Sequence, residues 1–204
     1  MMNLDALNDE DLLRLALAGN EAAFTALYRR RQQSVYRFAL QMSGSRPVAE
    51  DVTQEVFLTL VRDGQRFDPE RGRLLAFLFG IARNHVLRRI ERERLFTPIV
   101  EADDGSQTDA TLTAASDPLT DLTRGEMIAR VRAAVLALPP HYREAVVLCD
   151  LNEMSYAEAA EVIGCAVGTV RSRLHRARQM LIDKLRGTSD EAGSRVASPA
   201  GCFA

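Results

Sequence analysis

The residues whose types and spacing most clearly suggest a chemical role are four arginines near the carboxyl end, Arg171, Arg173, Arg176 and Arg178. They fall mostly beside an apolar stripe at helical spacing, which consists of Val167, Val170, Leu174, Ala177 and Leu181. A guanidinium group can pair bidentately with guanine in the DNA major groove and can also bind phosphates. This segment therefore indicates nucleic-acid recognition by a helix.

A second, shorter helix is predicted directly before the arginine-bearing one. Ser155 can cap its first turn, and Glu158 three residues later completes a capping box. Gly164 favours an end to the helix, because glycine readily adopts the left-handed conformation. A capped helix, a glycine turn and an arginine-bearing helix together predict a helix-turn-helix motif.

Charge is unevenly distributed along the chain. The net charge is −2, which by itself does not suggest a polyanion-binding protein. Residues 61–100 nevertheless hold nine basic and five acidic side chains, and residues 166–186 hold six basic side chains and one acidic one. Between them, residues 101–126 hold seven acidic side chains and one basic one. Two basic regions are typical of a protein that contacts a polyanion twice, although solvated helix faces also carry such charge runs.

Composition excludes several classes of protein. A hydrophobic content of 47% and a charged content of 26% are ordinary for globular domains. No apolar run could span a bilayer and no signal peptide is apparent, so we expect no membrane insertion and a cytoplasmic location. The cysteines, Cys149, Cys165 and Cys202, are scattered. Neither metal-ligand spacing nor a nucleophile–base arrangement is present, so we predict no metal, no cofactor and no catalytic residue.

Helical periodicity dominates the chain, and no sustained strand-like alternation is present. Helices are predicted from about Asp9 and over about 21–42, 47–61, 73–94, 121–138 and 141–148, followed by the helix-turn-helix. We therefore predict an all-α protein of two small helical domains joined by a flexible acidic linker, the second ending in the helix-turn-helix. The predicted divisions are a first domain at 9–96, a linker at 97–123, a second domain at 124–186 and a disordered tail at 187–204.

Four sequence segments, in this order and at these spacings, resemble the extracytoplasmic-function (ECF) sigma factors of bacterial RNA polymerase. They are residues 49–57 (AEDVTQEVF), residues 67–84 (FDPERG through FLFGIARN), residues 138–145 (LPPHYREA) and residues 167–174 (VGTVRSRL). The resemblance covers roughly Leu12 to Arg186. It implies sigma region 2 in the first domain and sigma region 4 in the second.

The resemblance implies three protein partners. Asp51, Gln54 and Glu55 match positions that contact the clamp helices of the largest polymerase subunit, and an acidic face suits a basic partner. The second domain is expected to contact the flap of the second-largest subunit of core RNA polymerase. An anti-sigma factor is expected to hold the protein inactive by covering its polymerase-binding surfaces.

The resemblance also implies two surfaces that contact promoter DNA. The −10 segment, residues 66–89, would recognise and melt the −10 element. Melting needs a pocket for a flipped base and cationic side chains that bind the single-stranded backbone. Many relatives have tryptophan where this chain has Phe77, which we expect to lie in the core. The matching residues of this segment are Arg66, Arg71, Arg83, Asn84, Arg88 and Arg89. The −35 face consists of Thr169, Arg171, Ser172, Arg173 and Arg176.

The function implied is that of a sigma factor, which directs core polymerase to promoters and helps to melt them without a catalytic centre of its own. An ordinary transcription regulator, with an amino-terminal sensor and a carboxyl-terminal helix-turn-helix, is the main alternative. The first domain favours the sigma factor, because its Asp-Pro-Glu-Arg-Gly loop and basic helix suit single-stranded DNA better than a small ligand. An enzyme ranks far behind both.

Overall fold

The structure, a computed structural model, describes residues 4–96 and 118–194, and within these ranges it contains helices and turns without strands. The all-α prediction is confirmed. After a short 3-10 turn at Leu4–Ala6, the amino-terminal domain consists of α1 (Asp9–Leu17), α2 (Glu21–Ser43), α3 (Arg46–Asp63) and α4 (Leu74–Phe96). The carboxyl-terminal domain consists of α5 (Pro118–Leu136), α6 (Pro140–Val146), a π-helical turn (Val147–Leu151), α7 (Tyr156–Ile163) and α8 (Val167–Ser194).

Local sequence explains where the amino-terminal helices begin and end. Asn8 and Asn20 cap α1 and α2, their side-chain oxygens accepting hydrogen bonds from the backbone N–H of the third residue on, at 2.7 and 3.0 Å. Gly44 ends α2 in the left-handed conformation, with φ of 73°. Ser45 then caps α3. The helix tolerates Pro47 in its first turn, because a backbone N–H at that position would have no partner within the helix.

The amino-terminal core lies between α1, α2, α3 and α4. Phe38 of α2 stacks on Phe79 of α4 with ring centroids 4.8 Å apart, and both side chains are fully buried. Leu12, Leu27 and Leu60 complete the centre of this core. Burying these side chains orients α3 and α4, so that their polar faces are directed away from the core.

The helix-turn-helix has the predicted local geometry. Ser155 and Glu158 form the capping box, and Gly164 ends α7 in the left-handed conformation with φ of 76°. Most of the predicted apolar stripe of α8 is buried, but Val167 is 39% exposed. The expectation that Val167 is buried with the rest of the stripe was wrong. Val167 occupies the first position of α8, where the helix emerges from the turn.

The two domains pack against each other. Their buried apolar residues form one continuous cluster, in which α4 contacts α7 and α2 contacts α5 and α6. Arg143 Nη1 donates to the carbonyl oxygen of Met42 at 2.5 Å, and Asn152 Nδ2 donates to Gln41 Oε1 at 3.0 Å. The docked arrangement therefore combines apolar packing with specific polar contacts between domains.

Two predicted boundaries were wrong in part. Helix α5 begins at Pro118, so residues 118–123 are helical rather than linker; proline fits the first helical turn. Helix α8 continues to Ser194 rather than ending near Arg186, so residues 187–194 do not form the predicted disordered tail. Extending an existing helix is far easier than nucleating one, so weak helix formers can continue it. The remaining parts of the predicted linker (97–117) and tail (195–204) lie outside the described residues.

Candidate nucleic-acid interface

A cavity of about 450 Å³ lies beside the −10 segment. Arg66, Arg71 and Asn84, three of the predicted −10 residues, line it, and all three side chains are exposed. Phe67 and Phe77 also line it, with ring centroids 5.6 Å apart. The cavity thus combines aromatic surface, guanidinium groups and an amide, which can serve a nucleobase and its phosphate, with two carboxylates, those of Asp68 and Glu161.

Phe77 was expected to lie in the core, and this expectation was wrong in part. The side chain is half-buried and lies on the cavity wall, where its ring approaches Phe67. The apolar run from Leu74 to Ile81 suggested uniform burial, but a helix turns successive side chains in different directions. The chain therefore retains an aromatic side chain at this surface.

Glu144 joins the two predicted DNA-contacting surfaces. Its side chain is only 3% exposed, its Oε2 lies 2.8 Å from Arg83 Nε, and its Oε1 lies 3.1 Å from Arg173 Nη1. Arg83 belongs to the −10 segment and Arg173 to the −35 face. Glu144 was not predicted as a site residue, although it lies in the segment 138–145, because the pairing depends on contact between residues 61 positions apart.

A second ion pair connects the −10 segment to α7. Arg73 Nε lies 2.5 Å from Glu158 Oε1. Burial by itself would raise the pKa of Glu158, but the hydrogen bonds from Arg73 and Ser155 outweigh burial and lower that pKa below its usual value. Glu158 is therefore held as a carboxylate by partners in both domains.

The basic end of the −10 segment lies beside α3. Arg89 Nη2 is 2.6 Å from Asp51 Oδ2, whereas Arg88 is exposed. Burial lowers the pKa of His85, and the surrounding arginines lower it further against the opposing effect of Glu55. A predicted DNA-contacting arginine and a predicted polymerase-contacting carboxylate are thus direct neighbours.

The −35 face is largely exposed. Arg171, Ser172 and Arg176 are exposed, and Thr169 is half-buried. The guanidinium carbon of Arg171 lies 5.8 Å from the ring centroid of Tyr156, which is within cation–π range. Arg173 differs from the others because it is half-buried against Glu144. The structure therefore leaves most of the predicted −35 face open to a ligand.

The predicted polymerase-binding residues share one face of α3. Asp51, Gln54 and Glu55 are all exposed and lie three and four positions apart, which brings them together on a helix. The same face continues into Leu58 and Val61, which are 63% and 57% exposed. Sequence reasoning had not singled out these two apolar side chains, whose exposure could be recognised only after the core was located.

Two classes of feature are missing from the part of the chain that the structure describes. Within residues 4–96 and 118–194, no group of three or more His, Cys, Asp or Glu side chains is arranged to hold a metal ion. None of the helices in these ranges is both long enough and apolar enough to cross a membrane.

Comparison with known proteins gives matches in both domains. Residues 27–96 match the sigma-70 region 2 family, and residues 128–181 match the sigma-70 region 4 family. The ECF RNA polymerase sigma factor SigE of Mycolicibacterium smegmatis is 36% identical over 176 residues, covering 85% of this chain and 66% of SigE. The ECF RNA polymerase sigma factor SigC of Mycobacterium tuberculosis is 36% identical over 190 residues, covering 89% of this chain and 95% of SigC.

A solved structure extends the likeness to the fold. The sigma factor RpoE of Bartonella quintana, in complex with the anti-sigma factor NepR, superposes with a TM-score of 0.63 at 26% identity, covering 80% of this chain and 96% of RpoE. Both helical domains thus match one family. The chain belongs to the ECF sigma factors, the sigma-70 family subunits that direct RNA polymerase to promoters by binding their −10 and −35 elements.

Proposed function

We propose that the cavity beside the −10 segment receives a base of the melted −10 element. Asn84 would read that base, because its amide both donates and accepts hydrogen bonds. Arg66 and Arg71 line the same cavity and would bind the adjoining phosphates. The pairing of Phe67 with Phe77 supports this assignment, since an aromatic surface can stack on any base.

The remaining arginines of the −10 segment would hold the DNA backbone. Arg88 and Arg89 lie on the basic end of α4, and Arg83 lies about one and a half turns before them. Arg88 is already exposed, whereas Arg83 and Arg89 must exchange Glu144 and Asp51 for phosphate oxygens. Phosphate contacts of this kind position the DNA without reading its sequence.

The −35 element would be read in the major groove by the first turns of α8. Arg171 and Arg176 are exposed on this helix and can form bidentate hydrogen bonds with guanine. Thr169 and Ser172 would reach nearby phosphates or bases. Arg173 would contact DNA through the guanidinium nitrogens that Glu144 does not occupy.

Core RNA polymerase would dock on the exposed face of α3. Asp51, Gln54 and Glu55 supply the charge and hydrogen bonds for the clamp helices of its largest subunit, and Leu58 and Val61 would add apolar contact. Two large apolar side chains exposed side by side favour a protein interface. The carboxyl-terminal domain would bind the flap of the second-largest subunit.

Regulation would come from an anti-sigma factor that covers the polymerase-binding surfaces. The complex of the related RpoE with the anti-sigma factor NepR supports such a partner. Such a protein acts with polymerase on chromosomal DNA, so we place its activity in the cytoplasm.

The observation that carries this assignment is that the chain presents an exposed −35 face on α8 and, beside the −10 segment, a cavity lined by aromatic rings and arginines. Run-off transcription tests it, with purified core polymerase, this protein and promoter fragments selected from a genomic library. We expect promoter-specific transcripts without any other sigma factor. A requirement for a second sigma factor would instead favour the ordinary transcription regulator.

A further inference from the structure

A second cavity lies between α2 and α3, and it shares no lining residue with the cavity beside the −10 segment. Two tyrosines, three glutamines, a threonine and a glutamate line it. Its volume is about 270 Å³, at the small end for a ligand pocket. We propose that this cavity binds the base of a guanine nucleotide and that arginines at its rim hold the phosphate groups.

One wall of this cavity is a fixed aromatic surface. The ring of Tyr28 packs against that of Phe57 at an interplanar angle of 65°, with centroids 4.7 Å apart, and Phe57 is buried. Tyr36 lines the same cavity two turns further along α2. Because a buried partner already holds the Tyr28 ring, little side-chain entropy is lost when a ligand binds. A planar base can stack on such a surface.

Most polar groups of the cavity are available to a ligand. Within residues 4–96 and 118–194, its glutamines and its glutamate form no side-chain hydrogen bond with another protein group; they are Gln32, Gln33, Gln54 and Glu50. Thr53 differs, because its hydroxyl already donates to the carbonyl oxygen of Ala49 at 2.7 Å. Three amides that can donate and accept, and one carboxylate that accepts, therefore line the cavity.

The carboxylate of Glu50 discriminates between the bases. Guanine carries two neighbouring donors on its Watson–Crick edge, N1–H and the N2 amino group, and one carboxylate can accept from both. Adenine instead presents its amino group beside an acceptor nitrogen, which a carboxylate repels. The amides of Gln32 and Gln54 can donate to the guanine acceptors O6 and N7. Guanine is therefore the base that satisfies the lining most fully.

Two arginines at the rim suit the phosphate groups. Arg29 and Arg37 are exposed on α2, one turn on either side of Gln33, so the three share one side of the helix. In the part of the chain that the structure describes, neither arginine forms an ion pair. Their combined charge exceeds that of Glu50, so the surroundings favour an anionic ligand over a cationic one.

A nucleotide in this cavity would compete with core polymerase. Gln54 lines the cavity and also belongs to the proposed polymerase-binding face, in which Asp51 directly follows Glu50. A base bonded to Gln54 would occupy the amide that the clamp helices use. This consequence rests on the proposed function, whereas the nucleotide site itself does not.

The test is isothermal titration calorimetry of the full-length protein with GDP, ADP and guanosine. We expect GDP to bind about tenfold more tightly than ADP, because adenine loses a charge-assisted hydrogen bond to Glu50. Glu50→Gln should weaken GDP binding about tenfold and remove most of the preference over ADP. Glu126→Gln is the matched control, since Glu126 is exposed on α5 and the substitution changes net charge equally.

A double variant tests the arginines at the rim. Arg29→Gln combined with Arg37→Gln should reduce GDP affinity about tenfold, to that of guanosine, while guanosine binding stays unchanged. The control combines Arg132→Gln with Arg186→Gln, because both arginines are exposed in the other domain and neither lines the cavity. Circular dichroism verifies that every variant is folded.

Three results would overturn the proposal: no GDP binding by the folded wild type, equal affinity for GDP and ADP, or equal weakening in the control variants. The cavity beside the −10 segment also suits a base, so Asn84→Ala is titrated as well. A loss of GDP binding in Asn84→Ala, with none in Glu50→Gln, would assign the nucleotide to that other cavity and would equally overturn the proposal.

Binding of labelled protein to core polymerase, followed by fluorescence anisotropy, tests the competition. Saturating GDP should weaken this binding about tenfold for wild type and much less for Glu50→Gln. Specific GDP binding without any effect on polymerase affinity would support the site and contradict the competition. Failure of the proposed function is distinguishable, because a wild type that binds no polymerase and directs no transcription would still give the same calorimetric result with GDP.

Discussion

The −10 segment and the −35 face differ in how the docked protein presents them. Arg171, Ser172 and Arg176 of the −35 face are exposed. In the −10 segment, by contrast, Arg73 and Arg83 form ion pairs with carboxylates of the other domain. The difference is that most of the −35 face is open to solvent, whereas two arginines of the −10 segment are already paired with carboxylates.

The largest effect should be on the free energy of unfolding, when the apolar core that is continuous through both domains is disrupted. Phe38→Ala removes a fully buried ring stacked on Phe79, and we expect a loss of about 3–5 kcal/mol in unfolding free energy. Chemical denaturation followed by circular dichroism measures it. Because the apolar cluster is continuous, both domains should unfold in one transition. Two separated transitions in the wild type would show that docking contributes little to stability.

Substitutions at the two surfaces should have separable consequences for promoter choice. Arg171→Ala is expected to cost about 1–3 kcal/mol of holoenzyme binding and to relax specificity at one −35 position. Asn84→Ala should instead relax specificity at one −10 position. Transcription from promoters mutated singly in each element measures both effects. Wild-type behaviour of Arg171→Ala across all −35 mutants would contradict the assignment of the −35 face.

We expect Tyr156 to contribute to the affinity of the −35 face for duplex DNA. Its ring lies 5.8 Å from the guanidinium carbon of Arg171, an interaction that contributes about 0.5–1 kcal/mol at an exposed site. Tyr156→Ala should therefore weaken binding to a −35 duplex about threefold, whereas Tyr156→Phe should preserve it because the ring remains. Fluorescence anisotropy measures both affinities. Equal weakening in the two variants would assign the effect to the hydroxyl instead.

The smallest of these effects should come from acid pH, which should weaken the ion pair between Arg73 of the −10 segment and Glu158 of the carboxyl-terminal domain. The pKa of Glu158 is lowered by its hydrogen bonds, so its pairing with Arg73 is fully present above the usual value of 4.5 and is lost as pH falls through the folded pKa. Small-angle scattering from pH 7 downward should show expansion only below about 4.5. Glu158→Gln should lack this component of the transition.

Local residue patterns predicted the structural elements well. Ser155, Glu158 and Gly164 predicted both ends of α7, because caps depend on residues within a few positions of the helix end. The wrong boundaries at Pro118 and after Arg186 arose where composition suggested a loop but a helix formed. Among the site residues, exposure on one face of α3 agreed with helical spacing, since that periodicity is fixed by the backbone.

By itself, the sequence determined the helices and the family and indicated candidate residues for DNA contact, since each depends on local periodicity or on side-chain chemistry. Only the tertiary structure showed that Glu144 joins Arg83 to Arg173 and that α7 lies against the loop at Gly72. Such pairings depend on how two domains pack, and residues distant in sequence carry no local signal of that contact. Which arginines stay exposed in the docked protein was therefore decided by packing rather than by residue type.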